Sequence, residues 1–136
     1  MSTVLHKRPT LRLALAAVGL GISAVASAQV IPFSEARIFF ELNDTDGDLG
    51  IHSSIDGEPW KFLAIEDPNE RRILSATPTG RLRLQGLTQF FFESAEPGFD
   101  ELEPAEFFAR FPEGRYEIEG ITLDGDEMES TVMLSH

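Results

Sequence analysis

The sequence predicts a mainly β protein, an antiparallel β-sandwich of about seven strands with one short helix. Three observations point there. Past residue 29, short runs alternate apolar and polar residues, turn-forming residues break those runs at short intervals, and one stretch opens on proline with helical spacing.

The elements follow in order. From Glu35 to Leu42, Ala36, Ile38, Phe40 and Leu42 alternate with Arg37, Phe39 and Glu41, the period of a strand with one buried face. Asn43 to Gly50 is rich in turn formers. A second strand over Ile51 to Ile55 is expected to reach a hairpin at Asp56-Gly57, with Trp60 to Ile65 returning as the third. Asp67-Pro68-Asn69 ends that strand, and Arg72 to Ala76 reads as the fourth. Arg81-Leu82-Arg83-Leu84 alternates as a strand does, and Phe90-Phe91-Phe92, within Leu87 to Glu93, reads as a strand covered on both sides. Pro104 fits the first turn of a helix running to Arg110, with Glu103 and Glu106 near its positive end. Arg115 to Thr122 and Glu127 to Leu134 flank a second hairpin signal, Asp124-Gly125. The large core sites are expected to go to Phe90, Phe92, Phe107, Phe108 and Phe111, with Trp60 also inside.

Residues 1–28 have the zones of a secretory signal peptide: Lys7, Arg8 and Arg12, then an uncharged run, then Ala26-Ser27-Ala28. The competing reading is an uncleaved anchor, but Gly19, Gly21 and Ser23 interrupt the apolar run and an A-x-A ending closes it. Cleavage is therefore expected to leave Gln29 first and residues 29–136 as one β domain, exported to the periplasm or the medium. Of 11 basic residues the leader takes 3 and of 23 acidic residues none, so the remaining 108 residues carry −15. Such a surface repels nucleic acid and anionic lipid and suits cation binding or solubility, so neither nucleic acid nor, after cleavage, a membrane is an expected partner. The chain has no cysteine, which removes disulfides, thiolate metal sites and thiol chemistry.

Asp44, Asp46 and Asp48 stand at alternate positions of a Gly-containing turn, the pattern of the first, third and fifth positions of a calcium loop. Leu49 replaces the glycine and Ile55 the bidentate glutamate of an EF-hand, so the turn reads either as a degenerate calcium loop in a β framework or as a solvated acidic turn. Glu93, Glu96, Asp100, Glu101, Glu103 and Glu106 crowd one stretch, and paired carboxylates are what a glycosidase uses. No spacing fixes a pair at reacting distance. His52, the one internal histidine beyond the leader, reads as the polar partner of a half-exposed strand.

The segments Glu41 to His52 (ELNDTDGDLGIH), Gln85 to Pro97 (QGLTQFFFESAEP) and Ala109 to Gly114 (ARFPEG) resemble a group of uncharacterised bacterial exported proteins. In that group a β domain often precedes a fibronectin type III-like module, which is expected to be absent here. The resemblance brings no activity with it. The expected function is a non-catalytic exported β module, stabilised by calcium at Asp44, Asp46 and Asp48, with a binding or structural role; the alternative is a small carboxylate-dependent hydrolase acting on carbohydrate.

Overall fold

The computed structural model describes residues 30–136, and the leader reading of 1–28 lies outside them. The described residues form β1 (Val30–Ile31), β2 (Glu35–Asn43), β3 (Asp48–Glu66), β4 (Arg72–Ala76), α1 (Gly80–Gln85), β5 (Leu87–Glu93), α2 (Pro104–Arg110), β6 (Gly114–Thr122) and β7 (Glu127–Leu134). All seven strands belong to one sheet, and the protein is mainly β. The pairing is antiparallel except for β1, which runs parallel to β7, so the sheet is mixed. The expected single helix is joined by a second, α1.

β3, at 19 residues, is the spine. His52 pairs with Phe39 of β2 and with Glu93 of β5, which therefore lie on opposite edges of β3. Trp60 pairs with Leu87 of β5 and Thr122 of β6, and Leu63 with Ala76 of β4 and Gly120 of β6. β5 and β4 thus follow one another along one edge, β2 and β6 along the other. The N-terminal half of β3 with β2 and β5 makes one layer, and its C-terminal half with β4, β6 and β7 makes the second. Between them lie Ile38, Leu49, Ile51, Ile55, Trp60, Leu63, Ile65, Ile118 and Met128, and the sheet curls far enough to bring β2 against β7.

The hairpin expected at Asp56-Gly57 does not form. The chain runs straight through it, and the pairing registers shift between Asp56 and Trp60. Two features explain why. A Cβ at Gly57 would lie 2.6 Å from Met128 Cε and 2.9 Å from Phe33 Cδ1, so the glycine serves a close approach of core side chains. Pro59 has no N–H for a ladder, so the irregularity falls where β3 bends from one layer to the other. Arg81 to Leu84 is likewise corrected, from strand to the helix α1: four alternating residues do not separate the two periods, and no residue of α1 is buried. Phe91 corrects the third expectation. It is 63% exposed between the half-buried Phe90 and Phe92, so β5 alternates and is not covered on both sides.

α2 forms as expected, with Pro104 in its first turn and Phe107 buried. Phe107 packs on Phe40 and Phe111, with ring centroids 6.2 and 5.3 Å away. At the start of β6, buried Tyr116 donates its hydroxyl to Pro112 O at 3.0 Å, which ties the strand to the end of the preceding helix.

The Asp67 to Arg71 loop closes on a non-glycine residue in the left-handed region, Glu70 at φ 59°. That conformation costs an L-residue roughly 1 kcal/mol. Glu70→Gly should therefore raise stability by up to about 1 kcal/mol, less the extra entropy of glycine in the unfolded chain. A urea titration of the variant against the parent checks the sign.

Candidate functional site

The alternation of β2 and β3 fixes two faces at one end of the molecule. Ile38, Leu49, Ile51 and Ile55 point into the core. On the other face stand Arg37, Phe39 and Glu41 of β2 with Asp48, Gly50 and His52 of β3, since directly paired residues share a side and successive residues alternate. β5 adds Phe91 and Glu93 to this outer face. It is the face a sandwich normally leaves to water.

His52 departs from that rule: it is 5% exposed. Phe39 stacks on its ring at 5.4 Å, and Phe91 meets it edge-on at 6.4 Å. Its Nε2 lies 3.1 Å from Glu96 Oε1 and 3.6 Å from Glu41 Oε2. His52 does stand on the outer face, as the polar partner of its strand, but two rings cover the imidazole there.

Glu96 reaches this position from the loop after β5. Ser94 exchanges two hydrogen bonds with Ile51, its N–H donating to Ile51 O and its Oγ accepting from Ile51 N, each at 3.0 Å. That pins the loop beside β3. The Glu96 side chain then lies over Gly50, where a Cβ would stand 2.7 Å from Oε1 and 2.8 Å from Cγ. Gly50 is the cross-strand partner of Glu41, and the Glu96 side chain fills the place a side chain there would take.

The Asp44 to Asp48 turn adjoins this cluster. Asn43 Oδ1 accepts from the N–H groups of Thr45 and Asp46, its Nδ2 donates to Asp46 Oδ2 at 2.7 Å, and Gly47 N–H donates to Asn43 O. Phe99 N–H donates to Gly47 O at 2.8 Å, joining the turn to the following loop. Partial desolvation, with the charges of Glu96, Asp46 and Glu41, holds the Asp48 carboxyl above the usual carboxylate range. Its acidic neighbours are therefore Asp46 in the turn and two glutamates that the turn's sequence does not contain.

Among the described residues, the three His, Cys, Asp or Glu side chains whose ligand atoms meet within 4.8 Å of one another are Glu66, Glu117 and Glu119; neither Asp44, Asp46 and Asp48 nor His52, Glu41 and Glu96 is such a set. Register explains the glutamates: Glu66 pairs with Glu117, and Glu119 follows on the same face of β6. Arg72 Nη2 stands 2.9 Å from Glu66 and 3.4 Å from Glu119, so that cluster already holds a cation of its own. Of the acidic stretch Glu93 to Glu106, Glu96 lies on His52, and Glu101 is the one carboxylate lining a shallow cavity with Leu102, Phe107 and Arg110.

Neither the protein-family models nor the curated proteins compared with this chain give a match.

Proposed function

We propose that the chain is a non-catalytic, exported β module, periplasmic or secreted, whose acidic end is stabilised by calcium at the Asp44 to Asp48 turn. The observation that supports this reading is the turn that Asn43 fixes, which carries three aspartates at alternate positions and ends at Asp48. Asp46, Glu41 and Glu96 crowd Asp48 with like charge, and the rest of the domain carries an excess of acid. A divalent cation replaces that repulsion with coordination. Asp44, Asp46 and Asp48 do not converge by themselves, so the ion has to draw their carboxylates together, which keeps the affinity weak.

Affinity should sit at the weak end of extracellular calcium sites, roughly 10⁻⁴ to 10⁻³ M. At a free calcium concentration of about ten times Kd, linkage adds about 1.4 kcal/mol and raises Tm by about 5 °C. The measurement is a thermal melt of the purified protein in EDTA, in millimolar calcium and in matched magnesium, repeated with Asp46→Asn plus Asp48→Asn. A calcium-specific rise that the double variant lacks is the expected result. An equal rise in both proteins, or none in the parent, leaves a solvated acidic turn.

A further inference from the structure

We infer that β5 is a docking edge for a second copy of this chain, two copies joining their β5 strands antiparallel about a two-fold axis through Phe91. The dimer does not depend on calcium at the Asp44 turn. Its starting point is three apolar side chains that the fold leaves bare. Leu82 and Leu84 of α1 are 58% and 83% exposed, and Phe91 of β5 is 63% exposed. No residue of α1 is buried, so packing within the chain does not account for its leucines.

β5 pairs with β3 on one side and with no described strand on the other. Ser94 N–H donates to Ile51 O at the end of that ladder. Bonding alternates along an antiparallel strand, so Phe90 and Phe92 turn their backbone groups to β3, while Gln89, Phe91 and Glu93 turn theirs away. Such an edge is a template for another strand unless charge, proline or a bulge blunts it. β2, at the other edge of this layer, carries Glu35, Arg37 and Glu41. β5 has a single charge, Glu93, after three consecutive phenylalanines.

Charge selects the occupant. In a chain this acidic, Arg81 and Arg83 stand together on α1 at the N-terminal end of β5, and Glu93 stands at its C-terminal end. Antiparallel pairing with an identical strand brings opposite ends together, so each α1 meets Glu93 of the second copy. An axis through Phe91 sets Phe91 against itself and Gln89 against Glu93 of the second copy, so no two carboxylates face each other across the ladder. The outward backbone groups of Gln89, Phe91 and Glu93 then bond reciprocally, and the two Phe91 rings cover each other. The contact is isologous and closes at the dimer. Overall negative charge opposes association at long range, but physiological salt screens it beyond about 8 Å.

The test is sedimentation velocity of the purified protein from about 1 to 200 µM in about 150 mM salt, with urea midpoints on dilute protein to show that each variant is folded. The expected result is a monomer–dimer equilibrium with no larger species, weakened at least about tenfold by Phe91→Lys and by Arg81→Glu plus Arg83→Glu. Met133→Lys, which adds the same charge at a 72% exposed residue of β7, should leave it unchanged. Disulfide trapping reads the register, because the chain has no cysteine of its own. Opposed hydrogen-bonded residues have Cα atoms about 5.5 Å apart, within disulfide range. Mild oxidation of Gln89→Cys mixed with Glu93→Cys should therefore give a linked dimer, and neither variant should link alone. A chain that stays monomeric throughout overturns the assignment and leaves the edge to a different partner. A dimer that Met133→Lys weakens as much as Phe91→Lys, or a mixture that does not link, overturns it as well.

Discussion

Trp60→Ala is expected to cost about 3 to 5 kcal/mol, a large share of the stability of a domain this small. Trp60 is fully buried at the bend of β3, where the strand passes from one layer to the other, and its ring meets Phe90 edge-on at 6.4 Å. Its loss opens a cavity that both layers share and that neither can close without moving β3. Trp60→Phe should cost much less. It keeps most of the buried area and removes an indole N–H that has no hydrogen-bond partner among the described residues. Phe107→Ala should fall in the upper range with Trp60→Ala, and Phe91→Ala near zero in stability, since Phe107 is 4% exposed and Phe91 63%. Urea midpoints for the four variants give the ranking, and a Phe91→Ala loss equal to that of Phe107→Ala would contradict the placement of β5.

The same residues show what the sequence made legible. Ile38, Phe40 and Phe39 of β2, and the eight residues from Glu127 to Leu134, alternate with a period that only a half-buried strand explains, so those elements were visible in advance. Asp124-Gly125 kept its hairpin because nothing packs on Gly125. Asp56-Gly57 lost its hairpin because Met128 and Phe33 press on Gly57 from segments distant in sequence. Local turn chemistry is the same in both places, and a tertiary contact decides between them. His52 makes the point for the candidate site. The sequence shows the histidine alone, but Glu96, which completes its surroundings, lies forty-four residues on and arrives only through the pairing of β5 with β3. Gly50, over which Glu96 lies, read as the end of the turn-forming run and so gave no separate signal.

The largest polar effect is expected at Asp67, which the sequence showed only as a strand ending. Asp67 is 4% exposed, and its Oδ1 accepts from the N–H groups of Asn69 and Arg71 at 2.8 and 3.0 Å. Its Oδ2 accepts from Arg71 Nε and Nη2 at 2.9 and 2.7 Å. Burial alone would raise this carboxyl, but hydrogen bonds from the Arg71 side chain and backbone and from Asn69, with the guanidinium charge, hold it below the usual range. Asp67→Ala should cost about 1.5 to 3 kcal/mol at pH 7, the range for hydrogen bonds to a charged group. The higher cost of an orphaned buried charge does not apply, because the Arg71 side chain is 67% exposed and returns to water. A depressed carboxyl stabilises above its unfolded value of about 3.9 and loses that contribution as pH falls through the folded value. The difference in urea midpoint between parent and variant should therefore hold from neutral pH to about 5 and shrink below about 4. At the alkaline end the same carboxylate acts on Tyr116, which burial, then the Asp67 charge, push up to about 12 against the opposing Arg71. A raised phenol stabilises below its unfolded value near 10 and loses that contribution as pH rises through the folded one. Tyr116 is the chain's single tyrosine, so phenolate absorbance reports it alone. Asp67→Ala should lower that titration while leaving it above 10, since burial is the larger cause. A midpoint unmoved by the substitution, together with an acid-independent stability difference, would place Asp67 outside this network.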